Sequence, residues 1–376
     1  MNAIVNDPAE TTIVLTGDLV LDLPDPDHWL SGIAPAIRAA DLAIGHLEVP
    51  HTHSTAELKG DVPAPGSDPA NLAALARAGF DAVTLAGNHI ADCGAAGIAD
   101  TIAELDRLGI AHGGAGATLA EARKPAVLEC GGRRIALLSY NCVGPQAAWA
   151  TETTAGCAYL PVATGDGSPP APAAPLTEAA PEAFAILEAD IAAARAQADL
   201  VIVALHKGIV HRPFLLAPYE RPLAQGAIDA GADVVVGHHS HILRGIEFHR
   251  GRPIFHGLGN GCVVTSALSP DQDHPARREW ARRRRELFGF EPDPAYLYAP
   301  FHPEAVNALV ARLVWRADGT IDAGFLPIHV EAPGRPVLAS LARGVEIIDY
   351  VQSITDKAEL PPLRLAVRND MVEVMP

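Results

Sequence analysis

What the chain lacks removes several classes of function. Its five cysteines, Cys93, Cys130, Cys142, Cys157 and Cys262, form an odd set with no close pair. That spacing excludes both a structural zinc site and a disulfide framework, and fits free thiols in a reducing compartment. Cys93 sits inside a polar motif but reads as a small core residue rather than a catalytic thiol. Cations are scarce: 28 Lys and Arg face 45 Asp and Glu, a formal charge of −17, which opposes general nucleic-acid binding because affinity for phosphate backbones comes from clustered Lys and Arg. Long apolar runs are missing, so no segment reads as a membrane span. The opening MNAIVNDPAETTIVLTGD has no basic region followed by an apolar one, and a cytoplasmic location is expected. Gly113-Gly114-Ala115-Gly116 lacks the lysine and hydroxyl residue of a phosphate-binding loop and is read as a turn.

What is present is a recurring pattern of short apolar strands followed by polar side chains. Val234 to Val236 leads into Gly237, which allows a turn tight enough to aim His239 and His241 into one space. Residues 13–15 lead into Gly17 and Asp18, 42–44 into His46 and Glu48, and 82–85 into Gly87, Asn88, His89 and Asp92. Residues 200–205 lead into His206, Lys207 and Gly208. Open α/β sheets hold their ligands at such strand ends. Helical spacing over 70–77, 97–108, 181–198 and 219–230 alternates with these strands and predicts a mainly parallel sheet with helices on both faces. Residues 124–139 read as a hairpin turning at Gly131-Gly132, and 308–330 as a second β pair turning at Asp318-Gly319. A helix is expected near 337–353. Residues 164–181, rich in proline and alanine, read as an exposed loop.

The polar groups suggest a metal centre. Asp18, Glu48, Asn88, His206, His239 and His241 offer oxygen and imidazole donors without thiolate, which suits Mn, Mg, Ca, Fe or Zn as a divalent ion. His89 and Asp92, three residues apart on a helix expected to begin after Asn88, form a candidate acid/base pair in which Asp92 fixes the imidazole tautomer. The alternative is that Asp92 caps the next helix. His238 is expected beneath the turn, and His28, His51, His53, His112, His249 and His256 read as loop or strand residues. Lys207 either binds a substrate carboxylate or points to solvent, and His211 and Arg212 follow as further substrate-binding candidates. The basic stretch 277–285, with Trp280 embedded, is a solvated helix face or a lid whose Arg282 and Arg283 attract an anionic substrate.

Six pieces carry a family resemblance: Gly17-Asp18, Leu47-Glu48, Ala86-Gly87-Asn88-His89 with Asp92 and Gly94, His206 with Gly208, Gly237-His238-His239 with His241, and Leu258-Gly259-Asn260. In this order, over about residues 12–262, they resemble the CapA-like family of capsule and poly-γ-glutamate synthesis proteins, related to the calcineurin-like metallophosphoesterases. The resemblance implies a metallophosphoesterase-type layered α/β sandwich with a metal site at strand C-terminal ends. It implies one domain over 1–376, with 265–376 as insertion and C-terminal elaboration. Three positions depart from the pattern. Asp18 is followed by Leu19 and Val20 rather than by an Asp-x-His ligand pair, Glu48 stands where those enzymes place a bridging aspartate, and His46 stands where CapA-like chains usually have asparagine. The implied activity is metal-dependent hydrolysis of a carboxylate-rich amide or peptide, or of a phosphate ester, with His89 transferring a proton. Two alternatives stand beside it. One is a peptide Cα epimerase using His89 with Asp92 against His239 or His241 with Asp18; the other is a non-catalytic factor that binds an anionic polymer. A small molecule, a peptide or an anionic polymer is thus the expected partner.

Overall fold

Aliphatic strands that are apolar on both faces need cover on both, and here two sheets supply it for each other. The computed structural model describes residues 10–59, 61–368 and 371–376. The first nine residues, read above for a leader, lie outside the described residues. One sheet runs in the order Arg364–Arg368, Met371–Met375, Ile321–Glu331, Asn307–Arg316, Glu10–Leu21, Leu42–Leu47, Ala82–Thr84, Ala111–Gly113. The other runs Ile246–His249, Arg252–Phe255, Val234–His238, Leu200–His206, Arg133–Asn141, Ala126–Cys130. Ile13, Leu15 and Ile44 of the first meet Leu137, Ile202 and Val236 of the second in a shared core. The alternate residues face outward: Val14, Ala43 and Val83 pack beside Leu75, Ile98 and Leu105, whereas Val201, Val203 and Val235 pack beside Leu187 and Leu223. The architecture is therefore a layered α/β sandwich.

The single mainly parallel sheet is corrected to two mixed sheets packed face to face, with the helix Leu341–Lys357 also entering the core between them through Ile347, Val351 and Ile354. Asn307–Arg316 lies antiparallel to Glu10–Leu21, with Thr11 opposite Trp315, and Ile321–Glu331 pairs antiparallel with Asn307–Arg316 in turn, so the chain beyond residue 265 supplies strands at the middle of the first sheet. Residues 164–181 are not merely a loop. Val162–Thr164 pairs with Leu176–Ala179, and Leu176 is buried. The last long helix is Leu341–Lys357, and residues 335–338 form a strand before it. Among the described residues no helix is long and apolar enough to cross a membrane.

Two glycines set the site. The pairing of Glu10–Leu21 shifts register on either side of Asp18, a bulge that re-aims the strand. A Cβ on Gly17 would lie 1.8 Å from the Gly259 carbonyl oxygen, and one on Gly237 would lie 2.0 Å from that of His256. Only glycine permits such backbone approach.

Candidate metal centre

Asp18 stands at the bulge, inside its strand rather than beyond the end, directly opposite His46. Glu48 follows that neighbouring strand and is tied by its N–H to the Leu19 carbonyl at 3.1 Å. His206 ends its strand opposite His238. His239 and His241 then adopt left-handed backbone, at φ 84° and 52°, a strain that neighbours must hold. The His239 N–H donates to Asp18 Oδ1 at 3.3 Å, and the Ser240 carbonyl accepts from the His211 N–H at 2.9 Å.

These elements bring Asp18, Glu48, Asn88, His206, His239 and His241 together. His206 Nε2 lies 2.7 Å from Asn88 Oδ1 and 3.1 Å from His239 Nδ1. His241 Nδ1 lies 2.9 Å from Asn260 Oδ1, and its Nε2 faces Glu48 Oε1 at 3.2 Å. His46 belongs to the same cluster: Nδ1 meets Thr84 Oγ1 at 2.9 Å, and Nε2 is 4.0 Å from Asp18 Oδ1. Its ring stacks on His238 with centroids 4.5 Å apart, so His238 packs beneath the turn as expected. The ligand atoms of Asp18, His46 and His206 lie within 4.8 Å of one another, as do those of Asp18, Glu48 and His241. Asp18 is thus shared by two groups.

The test of fit is what these atoms lack. Asp18 Oδ2, Glu48 Oε1, His46 Nε2, His206 Nδ1 and His239 Nε2 are buried without a hydrogen-bond partner. Isolated buried polar atoms cost free energy, and five converging ones with oxygen and imidazole character fit a divalent cation. Electrostatics agrees. Burial, reinforced by the neighbouring imidazoles, pushes His46 and His206 well down, and burial with His241 takes His239 down to about 3. These rings are neutral, the form that binds metal. His241 differs. Burial opposes its charge, but Glu48 and Asp18 hold it up at about 9. Burial and the adjacent Glu48 push Asp18 up to about 8; burial also acts to raise Glu48, but His241 outweighs it and holds Glu48 at about 2.

The expected helix after Asn88 begins only at Gly94, so His89 and Asp92 sit on the preceding turn. They still meet. His89 Nδ1 is 2.6 Å from Asp92 Oδ2, which also accepts from the Ala64 N–H at 2.6 Å. Cys93 is the N-cap residue and makes no side-chain cap bond, so Asp92 does not cap the helix. Burial acts to lower His89, but the Asp92 carboxylate overrides it and holds His89 at about 10.

A cavity of about 170 Å³ is lined by Glu48, Asn88, His89, His211, His239 and His241. Pro172 and Ala173 of the proline-rich segment also reach it. His211 is buried edge-on to Phe288 and Phe290, at 5.0 and 5.2 Å between centroids. Lys207 neither reaches the cavity nor points to solvent. It is buried with its ammonium on Glu220 Oε2 at 2.8 Å and on the His256 carbonyl and ring at 3.2 Å, which uses all three donors. Arg212, Arg282 and Arg283 are exposed and line no part of the cavity; Arg283 pairs with Glu286. Arg277 lines it instead, donating to the Pro63 carbonyl at 3.0 Å. Asp61, which accepts from the Asn88 amide at 3.0 Å, is another lining residue the sequence did not flag, because it lies in a loop without periodicity.

The chain is similar to several known proteins. The PGA biosynthesis protein CapA of Bacillus subtilis is 31% identical over 238 residues, 62% of this chain and 56% of that protein. A probable polyglutamine synthesis accessory protein of Mycobacterium tuberculosis is 32% identical over 196 residues, 51% of this chain and 47% of that protein. The matches thus span about half the length of these relatives. Among solved structures, the calcineurin-like phosphoesterase YfkN of Bacillus subtilis aligns over 93% of this chain and 98% of that chain, at 14% identity and a TM-score of 0.40. The model of the family described as bacterial capsule synthesis protein PGA_cap matches residues 12–263, two thirds of the chain, and the chain belongs to that family.

Proposed function

We propose that the protein is a metal-dependent hydrolase of amide or peptide bonds. The observation that carries this reading is that Glu48, Asn88, His239 and His241 of the buried cluster line one cavity together with His89, whose ring is held by Asp92. Asp18, His46, Glu48, Asn88, His206, His239 and His241 would hold the ion. When bound, a divalent ion supplies Lewis acidity at this end of the cavity. His89, held near 10, carries its proton at neutral pH and donates it from Nε2 to the leaving amine, while Asp92 fixes Nδ1. Trp280 and Phe288 also line the cavity and present apolar surface to it. The relatives' printed names, PGA biosynthesis and polyglutamine synthesis accessory, favour an amide-linked substrate over a phosphate ester. A reducing, cytoplasmic setting belongs to this reading, supported by five free thiols.

One observation favours a second reading. His241, between Asp18 and Glu48, forms a further acid/base group on the same cavity as His89. Two such groups on opposite faces of a Cα could remove and return a proton. Incubating peptides with protein loaded with Mn, Mg, Ca, Fe or Zn in deuterated water separates the readings. Hydrolysis gives cleavage without Cα deuterium; epimerisation gives Cα deuterium without cleavage. Neither product with any of these metals would leave a binding or assembly role.

A further inference from the structure

The cavity beside the donors has the wrong lining for a polyanion. Val49, Val263, Leu268, Trp280, Phe288 and Phe301 make its walls. Its charged lining is mixed, with Asp22, Asp61 and Glu48 beside His89, His241 and Arg277, and so offers no excess of cations to a polyanion. Among the described residues Arg277 is the one guanidinium lining it, and two of its five N–H donors are given to the Pro63 carbonyl and to Gln272 Oε1, each at 3.0 Å. Recognition of a carboxylate-rich chain calls for several free Arg or Lys donors, and the exposed Arg212, Arg282 and Arg283 lie outside the cavity.

The apolar wall is preformed. The Trp280 and Phe288 rings meet edge to face at 5.6 Å. Arg284 lies over Trp280 at 4.9 Å and is itself fixed by the Pro300 and Leu268 carbonyls at 2.8 and 2.6 Å. The space of about 170 Å³ is close to the roughly 150 Å³ that admits a benzene molecule in an apolar protein cavity.

We propose that this cavity binds a compact, uncharged apolar group of the substrate, a phenyl ring or branched aliphatic chain beside the reacting bond, and rejects carboxylate-rich chains. The proposal deepens the hydrolase reading and rests on it only for the position of the reacting bond. Burial of such a group supplies affinity through removal of apolar area from water, while a carboxylate set against the same apolar wall loses its hydration without a partner.

The test is calorimetric titration of the full chain with two probes that differ only in side chain, N-acetyl-L-phenylalanine amide and N-acetyl-L-glutamic acid amide, with and without added Mn²⁺. The phenyl probe should bind at least about tenfold more tightly, as burial of one such side chain predicts. Its binding heat capacity should be negative. Trp280→Ala should abolish the preference, whereas Leu287→Ser, on the exposed side of the same short segment, should leave it. The wild-type ratio needs no variant, so a lid that unfolds in Trp280→Ala cannot hide the answer. Equal or tighter binding of the glutamyl probe, or no binding of the phenyl probe at millimolar concentration, overturns the proposal. Phenyl-selective binding without cleavage of any peptide sinks the hydrolase reading and leaves this one standing; cleavage of γ-glutamyl chains with a glutamyl preference does the reverse.

Discussion

His89 lines the cavity and carries the proton, so its removal should separate chemistry from metal binding. His89→Ala is expected to lower kcat by roughly 10²-fold while elemental analysis finds the metal content unchanged. Asp92→Asn removes the carboxylate that outweighs burial and holds His89 near 10. The imidazole then loses its proton at lower pH, so the alkaline limb of the kcat profile should move down; an unmoved limb would show that another group donates. This pair was legible in the sequence from its spacing alone, although the backbone was not, because a turn brings positions three apart together as well as a helix does. His46 was visible as a polar group at a strand end, but the resemblance supplied no ligand role for it. Of the two readings of the arginine stretch, the solvated face fits Arg282 and Arg283 and the cavity-facing one fits their neighbours, for an instructive reason. Arg277, Trp280, Arg284 and Phe288 recur at helical spacing and form the face that packs inward, whereas Arg282 and Arg283 fall on the face left in water. Counting charge found the segment; periodicity would have chosen its working residues.

At the scale of elements, the strands and their polar ends could be read because each strand is short, apolar and followed by a turn. Their assembly into two sheets could not. A strand covered by helices on both faces and one covered by a sheet and a helix show the same apolar run, since both faces are buried either way. The proline-rich segment 164–181 misled for a related reason, since its composition gives no sign that residues 162–164 and 176–179 will pair. The glycines are where element geometry and site meet. In Gly17→Ala the new Cβ would face a backbone oxygen 1.8 Å away, which no rotamer can relieve, so the strands carrying Asp18 and Asn260 must part. Urea unfolding in the presence of chelator should show a loss of at least about 3 kcal/mol, and Gly237→Ala, against the His256 carbonyl, a similar one. Both variants should also lose metal. Stability equal to wild type in both would mean that the strands approach less closely than the structure has them.

Across the whole molecule the charge is −17, yet the proposed centre is held in its ion-free form by protons rather than by arginine or lysine. His241 is held near 9 by Glu48 and Asp18 against the effect of burial, and burial with Glu48 raises Asp18 to about 8. Both are protonated at pH 7. The sign follows. His241, raised above its ordinary 6.5, stabilises the ion-free fold fully below that value and loses the contribution as pH rises through 9. A cation takes the place of those protons, so its binding should release up to two of them, and its affinity should climb from pH 6 to pH 9. Calorimetry of Mn²⁺ or Zn²⁺ binding in two buffers of different ionisation enthalpy counts the protons directly. At a hundredfold excess over Kd the ion should add about 2.7 kcal/mol to stability, raising Tm by roughly 3 °C for a chain of this size. The increment should shrink toward pH 6 and vanish in the His239→Ala, His241→Ala double variant. An affinity flat between pH 6 and 9 would mean that the ion does not displace these protons and that the cluster is not its site.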